Sequence, residues 1–375
     1  MIYLDAAATT LQKPPEVADA VGKAISTMST PGRGGYAEAM IASRAVYQTR
    51  ELIAKLFHLR DPSRVLFTKN ATESLNVAIK GLTLPGDEVV VSCLEHNAVM
   101  RPLWCGGRRI RVAGFQASHP EEAIAAFAKT ITGRTKCVVC TCASNVFGSI
   151  LPIDSIDGLC HSRGIPLVLD ASQSAGTVPM DVSRLHAEAV CMPGHKGLYG
   201  PQGTGVLLLP GDRKLRVLLE GGTGSRSASY DMPEDTPDRF EAGTVNVPGI
   251  CGLYEGVRFV MRMGENTVLR HERDIAELVR EGLRSVAEFP GRGDPAGHTG
   301  VIAFRVPGMD CELLAERLGK EGISVRAGLC CAPLAHRSQG TFKTGLVRVS
   351  PSAFSTFEDG NALCEAVLKI IKKFS

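Results

Sequence analysis

The chain carries almost no excess of charge: 42 basic residues stand against 39 acidic ones, for a net charge of +3. That falls far short of the basic stripe a nucleic-acid surface needs, so a small molecule is the expected partner, and nucleic acid is not. No uninterrupted apolar stretch approaches the ~18 residues of a membrane helix, so no membrane span is expected. The opening residues, MIYLDAAATT, lack the basic-then-apolar layout of an export signal, which leaves the cytoplasm as the expected location. Repeats of about 20 to 50 residues and low-complexity runs are also missing, which excludes solenoids and propellers.

What is present is a folding composition. Over 375 residues, 44% are hydrophobic and 22% charged, close to the globular average, and the length gives a prior of about two to three domains. Twelve cysteines in a chain of this size, without an export signal, are expected to remain thiols, at least one of them available as a reagent.

Apolar bursts at Val65 to Phe67, Glu88 to Ser92, Lys136 to Cys140, Pro166 to Asp170, Ala187 to Cys191 and Gly205 to Leu209 are short and bounded by turn residues. They read as buried, mostly parallel strands. Between them Leu75, Ala78, Ile79 and Leu82 recur at helical spacing, as do Ile41, Ala45, Leu52, Ile53 and Leu56. The fold class is therefore α/β: a large, doubly wound, mostly parallel sheet domain over 15–250. Gly221 to Pro237 reads as a long loop. From Cys251 one helical segment is expected through Arg284, then a strand over Gly300 to Arg305, a helix from Cys311 to Lys320 and a strand from Gly345 to Ser350. This forms a smaller α+β domain, 251–375, which takes in the N-terminal segment 1–14.

Asp170 ends one expected strand, and Lys196 follows the next within Met192-Pro-Gly-His-Lys-Gly-Leu-Tyr-Gly-Pro. Strand C-terminal ends form the ligand-binding rim of an open α/β sheet. A lysine able to form a Schiff base and an aspartate able to hold a pyridinium nitrogen are the pair a pyridoxal-phosphate enzyme requires. Lys69 to Ser74, opening a helix, supplies unpaired N–H groups for an anion, and Asn70 with Glu73 has a capping-box spacing. Metal is not expected: in a strand Cys137 points away from Cys140 and Cys142. The glycines around Lys196 do not form a P-loop, because no Gly-Lys-Ser/Thr follows them.

These motifs, in this order, resemble the class V, fold-type I pyridoxal-phosphate enzymes, in particular the cysteine desulfurase and selenocysteine lyase branch. The resemblance runs from Tyr3-Leu-Asp-Ala-Ala-Ala-Thr9 to Val347-Arg-Val-Ser350. It implies Lys196 as the Schiff-base lysine, Asp170 and Gln173 at the ring nitrogen and phenolic oxygen, and Asn145 beside ring and substrate. His96 would stack on the ring and move protons as a catalytic residue, with Ala71, Thr72 and His195 at the phosphate. Thr244 would reach the phosphate of a neighbouring subunit, which implies a homodimer with shared active sites. Arg348 would grip the substrate carboxylate, for which a forked guanidinium is suited.

Arg326-Ala-Gly-Leu-Cys-Cys-Ala-Pro-Leu-Ala-His336 resembles the mobile loop of that branch and places the catalytic thiol at Cys331. Its thiolate would be favoured by Arg326, Arg337 or the cofactor. The implied reaction converts L-cysteine or L-selenocysteine to L-alanine, with the sulfur held as a persulfide for an acceptor protein. Three positions depart from the pattern. Cys330 replaces a histidine, so either cysteine could attack, or the two could join in a disulfide; Pro193 replaces a phosphate-binding serine; Cys142 replaces a histidine. Cys93, Cys105, Cys160, Cys191, Cys251, Cys311 and Cys364 read as packing, and His336 has no assigned role. The alternatives are another class V chemistry, such as transamination or elimination from a different thio-amino acid, and a non-catalytic sulfur-transfer or scaffold protein.

Overall fold

A computed structural model describes residues 1–32 and 34–373, so the last two positions of the 251–375 segment lie outside the described residues. A short strand β1 (Ile2–Tyr3) precedes the principal sheet, built from β2 (Val65–Thr68), β3 (Glu88–Ser92), β4 (Arg109–Ala113), β5 (Thr135–Thr141), β6 (Leu167–Asp170), β7 (Ala189–Pro193) and β8 (Gly205–Leu208). Their spatial order is β2-β8-β7-β6-β5-β3-β4. Strand β8 runs antiparallel to β2 and β7, and the remaining pairings are parallel.

Alternation along these strands feeds an apolar layer on each face of the sheet. Val90, Val138, Cys140, Leu169 and Val190 enter one, and Val89, Val91, Cys137, Val139, Val168 and Cys191 enter the other. Burial on both faces is why the strands read as continuous apolar runs. Each buried Val or Leu contributes roughly 1.5–3 kcal/mol, so covering both faces is the main source of stability here. Cys142 shares its core with Cys140, opposite Cys137.

Two expectations are corrected. The segment expected as one helix from Cys251 to Arg284 is two, Val247–Met263 and Glu265–Leu283, broken at Gly264 with φ of 81°. Left-handed backbone ends a helix, and glycine adopts it without steric cost. Strand β4, Arg-Ile-Arg-Val-Ala, was not anticipated; it lies at the sheet edge with both arginines exposed, so it has no apolar run to reveal it.

A second core lies beyond the sheet. Strands β9 (Ile302–Phe304), β10 (Ile323–Ser324), β11 (Arg326–Gly328) and β12 (Leu346–Val349) form an antiparallel β11-β12-β9 sheet and a parallel β1-β10 pair. Leu4 packs here with Val279, Phe304, Leu314, Val347 and Leu363. Burying Leu4 anchors the N-terminal segment and sets Asp5 against Ser350 in a β-bridge. The helix Cys311–Lys320 has the expected bounds, with Asp310 accepting from the amides of Glu312 and Leu313. Between Leu208 and Val247 the described residues form no helix or strand, which includes the expected 221–237 loop. No helix among the described residues is long and apolar enough to cross a membrane.

Candidate active site

Strands β2, β3, β5, β6 and β7 end on one edge of the sheet, and the loops after them converge. The result is a cavity of about 340 Å³ lined by Ala71, Thr72, His96, Asn145, Asp170, Gln173, His195 and Lys196 from the sheet side. Arg326, Cys330, Cys331 and Arg348 close it from the side of the second core. Thus all the expected site residues except Thr244 meet in one place.

After β2 the chain enters the helix Ala71–Leu82. Asn70 Oδ1 accepts from the amide of Glu73 at 2.9 Å, and Glu73 Oε2 accepts from the amide of Lys69 at 2.6 Å. The carboxylate thus reaches one residue beyond the N-cap amide that a capping box would use. The amides of Ala71 and Thr72, in the first turn, have no intrahelical acceptor, and both residues line the cavity, where a helix N-terminus favours an anion. Gly205 of β8 backs this loop: a Cβ there would stand 2.5 Å from the carbonyl carbon of Asn70.

Asp170 is buried at the end of β6, where Oδ1 accepts from the Ser172 amide at 2.9 Å. Gln173 donates to the Ala7 carbonyl at 3.0 Å, tying the N-terminal segment to the rim. The Lys196 loop packs on the Gln173 loop so closely that a Cβ on Gly197 would stand 2.4 Å from the Ala175 oxygen. Burial lowers the Lys196 amine to about 8, with the Asp170 charge opposing the shift. Burial also lowers His96, again against Asp170. His96 Nδ1 accepts from the Ala98 amide at 3.0 Å and so caps the helix Asn97–Cys105. His195 is pulled down to about 4, first by burial and then by Lys196 and Lys13; its Nδ1 shares a 3.0 Å hydrogen bond with Thr9.

On the opposite wall Arg348 is almost fully buried on β12. Its Nη2 donates to Asp5 Oδ1 at 2.6 Å and its Nη1 to the Asn145 carbonyl at 3.1 Å, while Nε has no partner. Asp5 also takes Arg326 Nη2 at 2.9 Å. Asn145 Nδ2 in turn donates to the Cys330 carbonyl at 2.8 Å, and the Asn97 amide to the Cys331 carbonyl at 2.8 Å. Cys331 is exposed and Cys330 half-buried.

Asp5 was not anticipated as a site residue, since nothing local in Tyr3-Leu-Asp-Ala signals a partner 343 positions away. Glu95 was missed as well. It is buried behind the rim, accepts from Ser92 Oγ and the Thr141 amide, and is pushed up to about 8 by burial. Its position before His96 was the available signal. Arg337 does not face the thiols as expected: its guanidinium lies over Phe342, 4.5 Å from the ring centroid. Cys105 is exposed rather than packed. His336 is buried, with Nδ1 2.8 Å from Thr341 Oγ1 and its ring against Phe147, so it packs the base of the cysteine loop. Thr244 lines a second cavity with Thr68, Lys69, Gly203 and Asn246. Cys142 is buried in the core, and the structure gives it no chemical role.

The cavity brings an amine, a carboxylate and a helix N-terminus together at the C-terminal rim of an α/β sheet. The model of the aminotransferase class-V family matches residues 2–363, and the chain belongs to that family. It is 31% identical over 379 residues to a probable cysteine desulfurase of Methanothermobacter thermautotrophicus, covering 98% of this chain and 94% of that one. It is 30% identical to cysteine desulfurase CsdA of Escherichia coli, covering 98% and 93%. Among solved structures, the apo cysteine desulfurase of Thermococcus onnurineus superposes with a TM-score of 0.90 at 28% identity, covering 99% of this chain and 95% of that one.

Proposed function

We propose that this protein is a pyridoxal-phosphate-dependent cysteine desulfurase, which takes sulfur from L-cysteine, releases L-alanine and holds the sulfur as a persulfide on Cys331. The observation that carries this reading is the meeting of Lys196, Asp170, His96, Arg348 and Cys331 around one cavity. The cysteine desulfurase names of the relatives supply the substrate.

The residues fit pyridoxal phosphate. A helix N-terminus with free amides suits the phosphate, an amine lowered to about 8 suits the aldehyde, and a buried carboxylate suits the ring nitrogen. Bound there, the cofactor supplies an electron sink for the amino acid's α-carbon. Lys196 would hold the cofactor and then carry the α-proton. Asp170 would keep the ring nitrogen protonated, His96 would cover the ring, and Ala71, Thr72 and His195 would hold the phosphate. Arg348, whose Nε is unpaired, orients the substrate carboxylate, with Asn145 fixing its other side. Cys331 attacks the substrate sulfur, and its exposure suits delivery to an acceptor protein. A homodimer is part of the reading, with Thr244 completing the phosphate site of the neighbouring subunit.

The test is alanine formation from L-cysteine by the purified holoprotein. Lys196→Ala is expected to abolish it, and Cys331→Ser to lower it by roughly a hundredfold or more. Full alanine release by Cys331→Ser would remove the persulfide step and leave a simple lyase.

A further inference from the structure

We infer that Cys330 is a resolving thiol that displaces the sulfur carried on Cys331 as hydrogen sulfide, closing a Cys330–Cys331 disulfide that a dithiol reductant reopens. This rests on the desulfurase reading and concerns how the sulfur leaves.

The two residues are adjacent free cysteines lining the cavity that holds Lys196 and Arg348. They are not equivalent. Cys331 is exposed at the mouth, whereas Cys330 is half-buried, packs against the sheet core and faces the guanidinium groups of Arg348 and Arg326. Its exposure makes Cys331 the better placed first nucleophile and Cys330 the later one, and burial raises the Cys330 thiol with the two arginines opposing. A thiol with a raised pKa is the stronger nucleophile once deprotonated, which suits attack on a persulfide already formed beside it.

The backbone holds the pair ready. Both residues adopt left-handed conformations, φ 46° at Cys330 and 55° at Cys331, which side-chain-bearing residues rarely take. Three hydrogen bonds fix that shape: Asn145 Nδ2 to the Cys330 carbonyl, the Asn97 amide to the Cys331 carbonyl, and the Ala332 amide to the Leu329 carbonyl, each at 2.8 Å. Adjacent Cα atoms stand about 3.8 Å apart, short of the usual disulfide range of about 4.4–6.8 Å, so the bridge would be strained and readily reduced.

In the proposed step the Cys330 sulfur attacks Cys331 Sγ. The bond between Cys331 Sγ and the terminal sulfur breaks, and its electron pair leaves with that sulfur. The Cys330 proton goes with it, giving hydrogen sulfide. Persulfide sulfur is reduced as the two thiols are oxidised, and a dithiol then reduces the bridge, itself becoming a disulfide. The sum is cysteine plus dithiol to alanine, hydrogen sulfide and oxidised dithiol.

The test is an oxygen-free, reductant-free single turnover of the holoenzyme with L-cysteine limiting. Alanine and sulfide are measured, and free thiols are alkylated before mass analysis of the 326–337 peptide. Wild type is expected to release alanine and sulfide at about 1:1, with both loop cysteines protected from alkylation and the peptide lighter by two hydrogens. In Cys330→Ala and Cys330→Ser, sulfide per alanine is expected to fall about tenfold, and the peptide to be one sulfur heavier at Cys331. Alanine with a persisting persulfide and an alkylatable Cys330 in the wild type overturns this inference alone. Absence of alanine overturns the desulfurase reading and this inference with it.

Discussion

Asp5 clamps Arg348: its Oδ1 lies 2.6 Å from Nη2, while Oδ2 lies 2.9 Å from Nη2 of Arg326. The N-terminal segment thereby neutralises and aims the guanidinium assigned to the substrate carboxylate. Removing one partner of a buried pair leaves an uncompensated charge, which costs about 3–5 kcal/mol. Asp5→Asn, which keeps the shape and removes the charge, is expected to lower the denaturation midpoint and to raise KM for L-cysteine more than it lowers kcat. Unchanged stability with unchanged KM would show that Arg348 is held by other contacts.

The Lys196 amine gives a pH signature of its own. Its folded value of about 8 lies below the ordinary 10.5, so the unfolded chain binds more protons between the two, and stability from this group rises over that window. The contribution is fully present above 10.5 and is lost as pH falls through 8. In cofactor-free protein, Lys196→Met is expected to be more stable than wild type at pH 7, with the gap closing as pH rises towards 10.5. Parallel denaturation curves across that range would contradict the assignment of burial as the cause.

Gly205 backs the proposed phosphate site. A Cβ at this position would meet the backbone of Asn70 and the Thr68 hydroxyl at 2.5 Å; the hydroxyl can rotate away, but the Asn70 backbone cannot. Gly205→Ala is therefore expected to push the 69–72 turn into the cavity. The readout is cofactor retention on gel filtration, expected to fall about tenfold, with the fold preserved by circular dichroism. Wild-type retention would place the phosphate elsewhere.

How far this was legible beforehand follows from what burial does to sequence. Strands buried on both faces, such as β3 and β6, print themselves as apolar runs, and Asp170 and Lys196 follow from those strands by position. The edge strand β4 prints nothing, because exposed Arg109 and Arg111 need no apolar pattern. Gly264 is a lone glycine in a helical pattern, and only its positive φ distinguishes a break from a tolerated residue. Asp5 was invisible because its partners arrive from the far end of the chain, through the packing of Leu4 in the second core.

The proposed dimer has a surface to occupy. On the helix Ala37–Leu56 and the residue before it, Tyr36, Met40, Ile41 and Tyr47 are each about half exposed, a concentration of apolar side chains that a lone chain would leave in water. Light scattering is expected to give twice the monomer mass. Met40→Glu should shift it towards monomer and reduce cofactor retention in parallel, because Thr244 would no longer reach a neighbour. A monomeric wild type that retains cofactor would remove Thr244 from the site.

Selenium separates the role of Cys331 from that of the rest of the site. On the proposed reading, Lys196, Asp170 and Arg348 act on the amino-acid part of the substrate, which L-cysteine and L-selenocysteine share, whereas Cys331 acts on the leaving atom. Selenium departs more readily than sulfur, so it has less need of an attacking thiolate. Cys331→Ser is therefore expected to lose alanine formation from L-cysteine by roughly a hundredfold or more while retaining most of it from L-selenocysteine. Lys196→Ala should lose both. Equal loss of the two activities in Cys331→Ser would mean that the thiol also positions the substrate, and that the branch point between sulfur and selenium lies elsewhere in the cavity.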